Sequence, residues 1–92
     1  MKILIEMLGM LLETAQVYGL SEYDSKNAKI FLDNNEFGLC FDSIITQLYE
    51  YNIEIDHDFY VLVDKIGKKM NLPLGSYVFI KEMVKSENNS RD

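Results

Sequence analysis

Residues 35–64, "NEFGLCFDSIITQLYEYNIEIDHDFYVLVD", decide how this chain is read. At 100° per residue, Phe37, Phe41, Ile44, Ile45, Leu48 and Tyr51 share one side of a helix. Glu36, Ser43, Thr46, Gln47 and Glu50 share the other. The pattern predicts a helix over roughly 36–51. Residues 52–55 read as a short connection with Ile53 and Ile55 turned inward. Asp56 or Asp58 then starts another helix, because a short carboxylate accepts the free N–H groups at a helix N-terminus and suits its positive dipole end. Phe59, Leu62, Val63, Ile66 and Met70 form its i, i+3, i+4, i+7 stripe. Lys65, Lys68 and Lys69 suit its negative end, and Asn71 closes it.

The same periodicity extends outward in both directions. Ile3, Leu4, Met7, Leu8, Leu11, Leu12 and Ala15 recur at steps of three and four and predict a first helix. Gly19 is placed for a left-handed C-terminal cap. Ser21 precedes Asp24 by three residues, an acidic variant of the capping box. It opens a second helix over 22–33 that buries Tyr23, Ala28, Phe31 and Leu32 and ends at Asn34 and Asn35. Pro73 suits the first turn of a fifth helix running to about residue 85, although "YVFI" at 77–80 has strand-like content and Gly75 weakens helix formation. "SENNSRD", residues 86–92, reads as a frayed polar tail. The expected fold is all-α, a compact bundle of four to five short helices in one domain over 1–85.

Composition excludes several classes of function. The chain has 92 residues, 48% of them apolar, and a formal net charge of −6. That balance disfavours a general nucleic-acid binder, whose phosphate contacts need Lys and Arg, and it disfavours an anionic membrane surface. Cys40 is the single cysteine, which permits no internal disulfide and reads as a small core residue of a protein in a reducing cytoplasm. "MKILIEMLGMLLETA" begins like a signal peptide, but Glu6 and Glu13 interrupt the apolar run and no small-residue cleavage site follows. It reads as an amphipathic helix.

The residue types needed for catalysis are scarce. His57, the only histidine, lies between Asp56 and Asp58 at a helix start and reads as an exposed first-turn residue. One His and one remote Cys do not make a zinc set. "DHD" lacks the alternating ligands, central Gly and terminal Glu of a calcium loop. The five glycines are scattered and form no phosphate loop. The expectation is therefore a protein that is not an enzyme and carries no cofactor or metal.

Charge placement is more informative. Asp33, Glu36, Asp42, Glu50, Glu54, Asp56, Asp58 and Asp64 follow one another with no Lys or Arg between them. Residues 65–85 then carry five Lys against one Glu. Tyr49, Tyr51, Phe59 and Tyr60 lie among the acids, and aromatic anchors ringed by one sign of charge suit an interface with a basic partner. Leu39 falls on the polar side of its helix, and Asp42 and Tyr49 fall at its boundary.

The run "YGLSEYDSKNAKIFLDNNEFGLCFDSIITQLYEYNIEI" with "FYVLVDKIGKKMNL" resembles the MafI-type family of small bacterial immunity proteins, which accompany contact-dependent inhibition toxins. The resemblance covers residues 18–72. Its most specific part is Glu36-Phe37-Gly38, then Phe41-Asp42 and Gln47-Leu48-Tyr49-Glu50-Tyr51. Asn34-Asn35 stands where a Gly would be expected. The resemblance implies a helical antitoxin that binds the C-terminal toxin domain of its own system, often a nuclease, as a monomer in a one-to-one complex, with no direct contact to nucleic acid. The toxin-binding candidates are Glu36, Leu39, Asp42, Tyr49, Glu50, Tyr51, Glu54, Asp56 and Asp58. The alternative reading is a helical adaptor, dimeric through exposed apolar residues such as Leu39.

Overall fold

The computed structural model describes residues 2–85; the tail read at 86–92 lies outside the described residues. Four α-helices follow one another: α1 (Lys2–Tyr18), α2 (Glu22–Asp33), α3 (Phe37–Glu50) and α4 (His57–Lys69). Two short 3₁₀ turns, Leu74–Ser76 and Val78–Met83, complete the fold. The described residues hold no strand, only an isolated parallel bridge between Ile55 and Val84. The all-α bundle expected from periodicity is the fold observed.

All four helices end in the same way. Gly19, Asn35, Asn52 and Asn71 have positive φ, at 120°, 61°, 57° and 58°. In each case the next N–H reaches back into the last turn. Leu20 N donates to Ala15 O, Glu36 N to Phe31 O, Ile53 N to Leu48 O and Leu72 N to Gly67 O, at 2.8–2.9 Å. This is the Schellman arrangement, which satisfies carbonyls that have run out of helical partners. Glycine reaches that backbone region without a Cβ penalty, and Asn reaches it more easily than other residues. Three of the four reversals also fold an apolar residue back onto the core: Leu20 is buried, and Ile53 and Leu72 pack against buried neighbours.

The helix starts differ. Ser21 Oγ accepts the Asp24 N–H at 3.0 Å and donates to the Asp24 carboxylate, so the acidic capping variant forms. Asp56 caps α4 by accepting the Phe59 N–H at 2.7 Å. Glu36 sits at the α3 N-cap without a side-chain hydrogen bond.

The core gathers Leu4, Leu8, Leu11, Leu12 and Ala15 of α1, Ala28 and Leu32 of α2, Cys40, Phe41, Ile44, Ile45 and Leu48 of α3, and Phe59, Val63 and Ile66 of α4. Three residues expected on buried faces are exposed instead: Ile3, Tyr23 and Tyr51. Tyr23 lies nine residues before Leu32, about 900° around the helix, and so faces the opposite way. At Tyr51 the helix has ended, and the reversal at Asn52 gives the inward position to Ile53. Ile3 lies at the edge of an α1 apolar arc wider than the neighbouring helices cover.

The C-terminal stretch departs from the expected fifth α-helix. Tyr77 has φ −142°, far from helical, and it separates the two 3₁₀ turns. Its ring is 1% exposed and lies on Gly67 of α4. The hydroxyl donates to Asp64 at 2.9 Å, and the ring meets Phe41 edge-on with centroids 6.0 Å apart. Seating that ring is incompatible with a continuous helix over 73–85. The chain then closes against the 51–56 connection: Ile55 N donates to Met83 O at 3.0 Å and Lys85 N to Ile55 O at 2.8 Å.

Three substitutions at two positions test this account. A Cβ at Gly67 would meet Cζ and Cδ2 of Tyr77 at 2.7 and 2.8 Å. The ring is packed on one side and hydrogen-bonded at its tip, so Gly67→Ala is expected to destabilise by about 1–3 kcal/mol of overpacking despite gaining helix propensity. Asn52→Ala is expected to lose about 1–2 kcal/mol at the left-handed position while Asn52→Gly stays near wild type. Urea unfolding of the three proteins checks both.

Candidate protein-binding surface

The structure divides the nine candidate residues among three situations. Asp56 and Tyr49 serve the fold. Asp56 is the α4 cap, and it also lies beside Tyr18, whose phenol is pushed above its ordinary pKa by burial first and by the hydrogen bond and negative charge of Asp56 second. Tyr49 meets Phe79 edge-on at 5.1 Å and donates to the Glu82 carboxylate at 3.3 Å. The Glu82 charge is the main reason the Tyr49 phenol is also raised. Tyr49 therefore ties α3 to the second 3₁₀ turn while staying 37% exposed.

Glu36, Leu39 and Asp42 lie toward the start of α3. All three are exposed, and Asp42 is approached by the Thr46 hydroxyl at 3.5 Å. Glu50 and Tyr51 lie at the other end, fourteen residues from Glu36, which along a helix is about 21 Å. The candidates are thus not one patch. Leu39 faces outward with Ser43, Thr46 and Glu50, as the wheel places it.

The remaining group forms a corner where α3 ends and α4 begins. Glu50, Tyr51, Glu54, Asp56 and Asp58 come from the last residue of α3, the 51–56 connection and the first turn of α4. Glu50, Tyr51, Glu54 and Asp58 are exposed, and among the described residues Glu50, Glu54 and Asp58 have no ion-pair partner. Behind them a cleft of about 250 Å³ is lined by Tyr18, Glu54, Ile55, Asp56 and Lys85. Tyr18 and Lys85 belong to this corner and were not foreseen from sequence. Each arrives by a tertiary contact: Tyr18 by its edge-on packing against Phe59 at 5.4 Å, and Lys85 by its backbone bond to Ile55.

Two of the eight acids of the block are matched to lysines one helical turn away. Lys29 binds Asp33 at 2.8 Å and Lys68 binds Asp64 at 3.0 Å. The Lys68 hydrogen bond, followed by that of Tyr77, holds the Asp64 carboxyl below the usual carboxylate range. Six acids of the run have no such lysine: Glu36 and Asp42 toward the start of α3, and Glu50, Glu54, Asp56 and Asp58 at the corner, where Lys85 also lines the cleft.

Of the two residues with catalytic potential, Cys40 lies in the core and His57 at the corner itself, between Asp56 and Asp58. Cys40 is fully buried, and burial pushes its thiol up to about 11, so it is not a thiolate at neutral pH. His57 is an exposed first-turn residue of α4. Among the described residues no three His, Cys, Asp or Glu side chains group as metal ligands, and no helix is long and apolar enough to cross a membrane. No family model, curated protein or solved structure matches the chain.

The double duty of Asp56 has a measurable signature. Asp56→Ala is expected to cost about 1 kcal/mol of stability through the lost cap, whereas Asp56→Asn, which caps equally well, is expected to stay close to wild type. Thermal or urea unfolding distinguishes the two and shows which Asp56 variants are fit for binding studies.

Proposed function

We propose that this protein binds a basic protein partner through the α3–α4 corner and, in line with the resemblance to MafI-type immunity proteins, neutralises a nuclease toxin domain in a one-to-one complex in the cytoplasm. The observation that carries this reading is the exposure of Glu50, Glu54 and Asp58 at one corner, with no cation matched to them among the described residues and Tyr51 65% exposed between them. Carboxylates that are neither caps nor ion-paired inside the fold are available to a guanidinium or ammonium from outside. An exposed phenol beside them supplies the aromatic anchor that interfaces favour.

A nuclease suits the role because it holds phosphates with Lys and Arg, and that same surface is attracted to an acidic corner. Binding there blocks substrate either by occupying the phosphate site or by covering its approach. The reading uses none of the groups that would be needed for chemistry, and it leaves Tyr49 and Asp56 to hold the corner in shape.

The decisive experiment adds purified protein to the toxin domain encoded beside it and follows RNA cleavage. Cleavage that continues at saturating protein sinks the proposal. Glu50→Lys and Glu54→Lys are each expected to weaken the complex by about 1–3 kcal/mol, with a slower association rate and unchanged circular dichroism. Normal binding by both reversals removes the corner from the interface.

A further inference from the structure

The α1 helix carries two apolar faces. One is the core face of Leu4, Leu8, Leu11, Leu12 and Ala15. The other is a line of Ile3, Met10 and Val17, each seven residues from the next, with exposures of 59%, 56% and 83%. Met7 and Thr14, both half-buried, fall between them and complete a 4-3-4-3 spacing. Scattered surface hydrophobics need no explanation, but these three lie in register on one line about 10.5 Å apart. A seven-residue repeat is the spacing that a second helix reads when it packs at a shallow crossing angle.

From this line we infer that α1 is the docking site for a basic amphipathic helix of another protein, on residues that the α3–α4 corner does not use. Charge selects the occupant. The outer flank of the line holds Glu6 and Glu13, both exposed and without an ion pair among the described residues; Lys2 lies further out on that side, Lys26 and Lys29 stand across the groove that Glu13 lines, and the inner flank is the core face. A helix laid on Ile3, Met10 and Val17 brings its own flanking residues against Glu6 and Glu13, and opposite charge there is favourable. A second copy of this chain fits less well. In an antiparallel pair centred on Met10, Ile3 would meet Val17, but each Glu6 would face the other copy's Glu13 across the same flank. Like charges so opposed are destabilising.

The test uses two synthetic helical peptides with the same leucine seam, one with lysine and one with glutamate at the flanking positions. Titration calorimetry is run against the wild type and against M10S/V17S, E6K/E13K and E50K/E54K. The lysine peptide is expected to bind the wild type and E50K/E54K alike, and to lose about tenfold or more in affinity for M10S/V17S and for E6K/E13K. The glutamate peptide is expected to bind only E6K/E13K. Binding of the lysine peptide that ignores M10S/V17S means general attraction to an acidic protein and overturns the inference. Sedimentation that shows wild-type dimers abolished by M10S/V17S overturns it in favour of a second copy. The substituted side chains are exposed, so circular dichroism is expected to be unchanged in all three variants.

Discussion

A phenol ring seated against a glycine holds the stretch after α4 to the rest of the molecule. Gly67 leaves a gap in α4 that no other residue type would leave, and Tyr77 fills it, reaching Phe41 of α3 on one side and the Asp64 carboxylate at its tip. Because the ring is fixed there, Val78–Met83 runs back across α3, placing Phe79 and Glu82 against Tyr49. The same course brings Val84 beside Ile55 and leaves Lys85 at the edge of the acidic corner. The corner is therefore shaped by a contact made at the opposite end of α4.

Much of the fold is legible from single residues because its cause is local. Gly19, Asn35 and Asn71 act where the sequence reading places them, since a left-handed cap depends on one backbone position. Asp56 caps through an oxygen only three residues from its donor. The apolar stripes of α3 and α4 select their buried faces by spacing alone. The C-terminal stretch is different. Pro73, Gly75 and the mixed content of 77–80 leave no strong local preference, and the choice of two 3₁₀ turns over a helix or a strand is made by the distant Gly67. No local pattern in 73–85 encodes that choice.

The candidate surface divides along the same line. Exposure of Glu36, Leu39, Asp42, Glu50, Glu54 and Asp58 follows from the helical wheel and from charge. The tie from Tyr49 to Glu82 and Phe79 does not, nor does the contact of Asp56 with Tyr18, because those partners come from remote segments. A run of acids in sequence also overstates the field in space. Asp33 and Asp64 are each screened by a lysine one turn away, and Glu36 is separated from Glu50 by the length of α3.

The arrangement of α4 has a consequence for how the molecule approaches a charged object. Asp56 and Asp58 stand at its start and Lys65, Lys68 and Lys69 toward its end, with the two groups centred about 15 Å apart along the axis. Such a pair of poles gives the protein a dipole component along that helix. In the field of a cationic body it feels a torque as well as a pull, and it turns acid-end first before any surface touches. Fewer collisions are then wasted on the wrong orientation. The lever arm exceeds the Debye length of about 8 Å at physiological ionic strength, so this rotational bias fades with added salt sooner than the short-range attraction does.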